Sequence, residues 1–294
     1  MKGTYRVLQD GIIISETENL ITTAGKSHII KYLAGYVGSI AKGIAVGVDN
    51  TAATVGDTNL GLEWMRFPVD LTTVDYLNTA IIFKGKIPSE YSGAIYEMGL
   101  WSAMYSGGIY DSRSLLTFDS AIDTWTAGVW ATTTQRIGTN SLRLAPATSA
   151  VMTATLADTW YDLSGYSSLD EFRLAYSVNS AFVATAKLIL YTDASNYYTY
   201  TITAPTAGYK ITPFYKSNFV ATGIPNWASI TSMAVQVTST SGGSGSIDFD
   251  GLRLEDMDTN SELFSLVSRA IPSVPVIKVA GMPLDFEYSL DVTL

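Results

Sequence analysis

The residues of this chain that could do chemistry are few and widely spaced. Gly25-Lys26-Ser27 is its nearest approach to a phosphate-binding loop. Such a loop needs a further glycine five residues before Gly25, and Leu20 stands there. The tripeptide therefore reads as the start of a helix with a surface lysine. His28 is the single histidine, so no histidine-based metal set and no Ser-His-Asp arrangement can be assembled. Glycoside hydrolysis needs two carboxyl groups held a few ångströms apart in a cleft. Glu63, Glu97, Glu171 and Glu255 are scattered over separate strand ends, and spacing alone does not unite them. Asp248, Asp250, Asp256 and Asp258 form an acidic cluster around one stretch. Aromatics are plentiful between Tyr191 and Trp227, and sugar rings stack on exposed aromatic faces flanked by polar groups. Tyr198, Tyr215 and Trp227 are thus candidate carbohydrate contacts. The competing reading is that alternate tyrosines of a strand enter the core while rim aromatics serve subunit interfaces. The expectation is a protein without catalytic activity.

These residues sit in a chain of mostly strand-like segments. Asp10-Gly11 between apolar runs predicts a hairpin. Ile29, Ile30, Leu33 and Val37 have helical spacing, with Thr22 or Thr23 as a cap and Gly35 or Gly38 as a stop. Ile44-Ala45-Val46-Gly47-Val48 reads as a buried strand, and further strands are expected at 64–69, 79–87 and 94–103. From Leu116 to Glu255 short β patterns follow one another with frequent turn residues, as in a sandwich or barrel. Thr238 to Gly245 is expected to be a hairpin loop. Ser246 to Asp256 has nearly the period-2 pattern of a half-buried strand. After it, Leu263, Leu266 and Val267 suggest a helix, with Asp258, Thr259 or Asn260 as its cap. Leu284, Phe286, Tyr288, Leu290, Val292 and Leu294 alternate with polar residues in the cleanest strand of the chain. A lone terminal strand needs a sheet to join, and the N-terminal sheet is the obvious one. The fold class is accordingly mainly β with minor α. An α+β host domain, residues 1–114 plus 257–294, is interrupted by an antiparallel β-sandwich (a jelly roll) at 115–256.

Composition narrows the partners. Only 15% of residues are charged, against roughly 25% in globular chains generally. The surface must then be covered by Ser, Thr, Asn, Gly and Tyr, which suits repeated β contacts in a homo-oligomer, with a trimer as first expectation. A net charge of −9 argues against a nucleic-acid footprint. No apolar run is long enough for membrane insertion, and the N-terminus has no signal-peptide pattern. The absence of cysteine excludes disulfides and thiolate metal sites.

Two stretches carry resemblances. Thr22-x-x-Gly25 opening a helix, Ile44-Ala45-Val46-Gly47, Leu60 to Glu63 and Glu97-Met98-Gly99-Leu100 resemble the N-terminal domain of tailed-bacteriophage virion proteins of the tail-collar and fibre type. That resemblance implies a virion location, multiple copies and contacts with other virion proteins. Leu116-Thr117-Phe118-Asp119 with Trp125, Ser141 to Leu144, Asp162-Leu163-Ser164, Asp193 to Tyr198, Ile224 to Ile230 and the closing Phe249-Asp250-Gly251-Leu252-Arg253-Leu254 resemble the jelly rolls of carbohydrate-binding modules and galactose-binding-like domains. In that family a structural calcium often ties the first strand to the last, and Asp119 and Asp250 occupy the matching positions. No cofactor is otherwise implied. The leading expectation is a surface-exposed structural protein of a tailed-phage virion, either capsid decoration or tail appendage. Its jelly roll would project outward for decoration or for adhesion to host-surface glycans. The alternative is a lectin-like carbohydrate-binding protein or an accessory of a glycan-degrading system.

Overall fold

A computed structural model describes residues 2–104, 113–119, 123–156, 160–255 and 265–292. It is mainly β, with the single α-helix Thr23–Leu33 among the described residues. The chain divides into two compact units, Met1–Ser106 with Thr259–Leu294, and Gly107–Asp258.

The first unit is built from antiparallel sheets. One runs in the order Ile12–Glu18, Lys2–Gln9, Leu284–Asp291, Ala80–Ile87, Leu71–Asp75. Its first two strands are joined by Asp10-Gly11, both at positive φ (51° and 78°), as a two-residue turn of mirror-image type requires. The alternating terminal strand finds its sheet here, with Tyr288 opposite Tyr5 and Phe83. The two tyrosine rings meet edge-on at 4.7 Å within the core. The second sheet has the order Leu20–Ile21, Leu266–Ala270, Glu97–Trp101, Gly43–Gly47, Glu63–Pro68.

Leu266 and Val267 therefore belong to a strand. The expected helix at this point is corrected, because both neighbouring strands hydrogen-bond to this segment and that pairing overrides a helical spacing of three apolar residues. Leu263, Asp256, Asp258 and the Ser106-Gly107-Gly108 turn lie outside the described residues. Helix Thr23–Leu33 is capped by Thr22, whose Oγ1 accepts from the Gly25 amide at 2.8 Å and donates to Leu266 O. A Cβ on Gly25 would lie 2.0 Å from Val267 O. The Thr-x-x-Gly motif thus has a physical reason: the first helical turn rests directly on strand backbone.

The second unit is a sandwich of two antiparallel sheets. One has the order Val129–Ala131, Ser141–Leu144, Ile247–Glu255, Glu171–Val178, Gly208–Tyr215, with Arg113–Leu116 also pairing Ile247–Glu255. The other has the order Val151–Leu156, Ser232–Ser239, Val183–Tyr191, Tyr197–Thr203, Val220–Thr222. Alternate residues of both, among them Leu174, Phe249, Leu254, Leu188 and Val235, fill one core. Thr238 to Gly245 connects strands of different sheets, so it is a crossing between layers and not the expected hairpin.

Candidate functional site

A sandwich offers two outer faces, and in this unit they differ sharply. The face of the sheet containing Ile247–Glu255 is closed. All nine residues of that strand are buried, including its outward-pointing Asp248, Asp250, Arg253 and Glu255. Asp248 takes a bidentate pair from Arg143 at 2.6 and 2.7 Å and a further bond from Thr134. Burial pushes its carboxyl up, but Arg143 and Thr134 outweigh that and hold it below the usual range. Asp250 is the extra residue of a β-bulge, since Ala175 faces Gly251 while Tyr176 faces Phe249. Its Oδ2 accepts from Tyr209 Oη at 2.6 Å and from the amides of Arg136 and Ile137 at 2.8 and 3.3 Å. The Arg136 guanidinium lies 3.9 Å from the Tyr209 ring centre. The loop between Ala131 and Ser141 thus folds onto this face and is tied to it.

Asp250 Oδ1, by contrast, is buried with no hydrogen-bond partner. Burial outweighs the three donors and raises this carboxyl to about 7. Asp119 binds the same loop, accepting from the Thr139 amide at 2.6 Å and from its hydroxyl. The structure therefore brings both candidate calcium residues to one loop, with one bare carboxylate oxygen. Among the described residues no group of three His, Cys, Asp or Glu side chains gathers for a metal.

Glu171 and Glu255, unrelated in sequence, are directly opposite each other in the register. Each is engaged by an arginine of its own strand, Arg173 and Arg253, and those arginines also face each other. The result is a square in which like charges face each other across the strands and each acid is neutralised by the arginine of its own strand. Both carboxylates are occupied and no cleft separates them, so the pair lacks the arrangement that hydrolysis needs.

The other sheet presents a more accessible face, on which Thr201 and Thr203 are exposed, Lys187, Tyr191, Tyr197 and Gln236 half-buried, and Ile189 and Ala234 buried between them. Ala186, Leu188 and Leu190 point inward, which turns Lys187, Ile189 and Tyr191 outward. By the same alternation Tyr197, Thr199, Thr201 and Thr203 face outward from the next strand. Gln236 and Thr238 do so from Ser232–Ser239, and Thr153 and Thr155 from Val151–Leu156. The register sets Thr153, Gln236, Lys187 and Thr201 in one row across four strands, and Gln236 Nε2 donates to Thr153 Oγ1 at 2.9 Å. Tyr191 and Tyr197 are paired four residues further along, their ring centres 5.3 Å apart and tilted by 54°. Hydroxyls and the Gln236 amide across this face, with a tilted aromatic pair at one end, can hydrogen-bond and stack a polyhydroxylated chain.

The aromatic residues singled out from sequence sit elsewhere. Tyr198 is only 9% exposed, stacks face to face on Trp227 at 3.8 Å, and donates its hydroxyl to Pro225 O. Trp227 also meets Phe219 and Phe172, with Lys216 Nζ 4.9 Å from its ring centre. The two rings cover each other at the rim of the core. Tyr215, at 46% exposure, is open, but on the edge strand of the closed sheet. Tyr191, Tyr197, Lys187 and Gln236 are not among the residues that sequence singles out. The usable signal was parity: Leu188, Leu190 and Tyr198 make one set inward, which forces Tyr191 and Tyr197 out.

In the first unit, sequence reading missed a buried ion cluster. Arg269 reaches Glu97 at 2.9 Å, Asp57 at 2.9 Å and Asp49 at 3.1 Å. Glu97 also accepts the amides of Asp49, Gly61 and Leu62. Burial raises its carboxyl even though Arg269 opposes the shift. The Glu of Glu-x-Gly-Leu thus pins the 49–62 loop, which accounts for that motif structurally.

No protein-family model matches the chain, and no curated protein matches it by sequence. Among solved structures, it is similar to the family 11 carbohydrate-binding module of cellulase Lic26A-Cel5E of Clostridium thermocellum. The identity there is 12% over 49% of this chain and 94% of that one, with a TM-score of 0.38. A structure of carbohydrate-binding modules of the β-sandwich superfamily aligns at 11% identity over 73% of this chain and 84% of that one, TM-score 0.34. The Endo-D glycoside hydrolase domain of Streptococcus pneumoniae R6 aligns at 13% identity and TM-score 0.31 over 46% of this chain. The match spans about a fifth (21%) of that enzyme's length. These distant likenesses concern β-sandwich architecture, and the functional reading below stands on the geometry of the faces.

Proposed function

We propose that the unit spanning Gly107–Asp258 is a non-catalytic carbohydrate-binding module. One observation carries the proposal. Of the two outer faces, one is closed by the 132–140 loop and by internal ion pairs, while the other is more accessible, hydroxyl-lined and ends in the Tyr191–Tyr197 pair. Binding to an immobilised glycan panel tests it. Tyr191→Ala or Tyr197→Ala is expected to weaken retention about 30-fold, the ~2 kcal/mol of an interface hot spot, without lowering thermal stability. Retention unchanged in both variants would overturn the assignment to this face.

We also propose a second, compatible reading for the first unit. It rests on resemblance alone: the Thr22-x-x-Gly25, Ile44 to Gly47 and Glu97 to Leu100 motifs resemble those of virion structural proteins. In that reading the unit attaches, as a homo-oligomer, to other virion proteins and displays the module toward host glycans. The alternative is an accessory of a glycan-degrading system. Calcium belongs to the same proposal: Asp119, the free oxygen of Asp250 and loop carbonyls would hold the ion, whose role would be to neutralise a buried carboxylate. Two carboxylates bonded to one loop and an unpartnered oxygen suit an oxygen-ligated cation, with the rest of the six to eight oxygens coming from backbone and water.

A further inference from the structure

Building on the glycan-binding reading, we propose that the ligand is an anionic polysaccharide whose carboxylate or sulfate groups are met by Lys187. The five strands of the open sheet contain a single charged residue, Lys187. It stands half-buried in the middle of the face. Its cross-strand neighbours are Gln236 and Thr201, and its neighbours along the strand's outer face are Thr185 and Ile189. All four are neutral, and no described residue forms an ion pair with Lys187. Four other cations of this unit are matched. Arg143, Arg173 and Arg253 have carboxylates, and the Lys216 ammonium donates to the carbonyls of Leu163 and Tyr166.

A ligand lying across the face must cover this ammonium. A neutral polymer would strip its water without a countercharge, and removing solvent from an unpaired charge is strongly unfavourable. An anionic group turns the same burial into a charge-assisted hydrogen bond, about twice as strong as a neutral one. Tyr191 lies four residues further along the strand, ~13 Å away at strand rise, so one ligand chain can lie over the aromatic pair and the ammonium together. The net charge of −9 opposes a polyanion at a distance, but screening confines that repulsion to ~8 Å at physiological salt. The acid nearest along this strand's sequence, Asp193, is in the turn beyond Tyr191 and is engaged by Asn196.

The test is calorimetric titration of the full chain with polygalacturonate and with its fully methyl-esterified, uncharged form, alongside chondroitin sulfate and a neutral mixed-linked β-glucan. A charged polymer bound at least tenfold more tightly than neutral ones is expected. That preference should shrink as salt rises and disappear in Lys187→Gln, whose thermal unfolding matches the parent. Neutral polymers bound as tightly as charged ones, or full affinity for the charged polymer in Lys187→Gln, would overturn the anion assignment while leaving glycan binding in place. Equal affinity for single-stranded DNA would also overturn it, marking a general polyanion effect. Binding to no glycan at all would remove the underlying reading and this inference with it.

Discussion

At Asp250, burial and charge oppose each other in a single side chain. An unfolded aspartate titrates near 3.8, whereas the folded one is raised to about 7 by burial. Below pH ~4 both states hold the proton, and the folded state gains its full relative benefit. Between pH 4 and 7 only the folded state keeps it, so stability falls as pH rises, by at most ~1.4 kcal/mol per unit. Above pH 7 the carboxylate is ionised in both states and the cost of burying it is complete. In EDTA, thermal melts from pH 4 to 7 should show this decline, and Asp250→Asn should flatten it; equal slopes would assign the decline to other groups. Calcium at a hundred times its dissociation constant would add ~2.7 kcal/mol at pH 7, and the Asn variant should lose that gain. Trp227 gives a contrasting case. Because it is packed between Tyr198, Phe219 and Phe172, Trp227→Ala should cost ~3–5 kcal/mol of stability, read by chemical denaturation. A variant that kept its stability and lost only glycan binding would return Trp227 to the role of a sugar platform.

Among the elements, the strand Leu266–Ala270 organises the first unit. Gly25 lets the helix rest on its backbone, and Arg269 leads from it into three carboxylates. Arg269→Met leaves Glu97, fully buried, facing Asp49 and Asp57 without a countercharge. The expected loss is ~3–5 kcal/mol, as for breaking any buried ion pair from one side, and Arg269→Lys should restore only part, because a single ammonium cannot present the planar fork that meets three acids. A denaturation midpoint unchanged in Arg269→Met would refute the staple. These elements also mark what sequence could yield. The Asp10-Gly11 turn, the Thr22 cap and the alternating strand from Leu284 were legible, because each depends on local backbone geometry or on period-2 burial. The strand at Leu266 was not, since its identity comes from two partners remote in sequence. The bulge at Asp250 was hidden for a related reason: one extra residue breaks the alternation on which strand reading depends. The candidate face is not legible from aromatic type alone, since parity sends Tyr198 inward and Tyr191 outward.

On the scale of the whole chain, the termini-proximal segments close one unit around their own pairing, Lys2–Gln9 beside Leu284–Asp291, while Gly107–Asp258 completes a core of its own. Replacing residues 107–258 by a short Gly/Ser loop should therefore leave a folded remainder with a cooperative melt. Loss of cooperative unfolding would show that the remainder depends on the insert. The display reading adds a biological order to this architecture, with attachment assigned to the outer segments and recognition to the insert. Its central claim is that recognition occurs on the open sheet. The most direct measurement is a glycan array probed with the full chain beside its Tyr191→Ala/Tyr197→Ala double variant. The account predicts binding to at least one class of polysaccharide that the double variant loses while keeping the parent's melting temperature. Binding that survives intact in the double variant would contradict it.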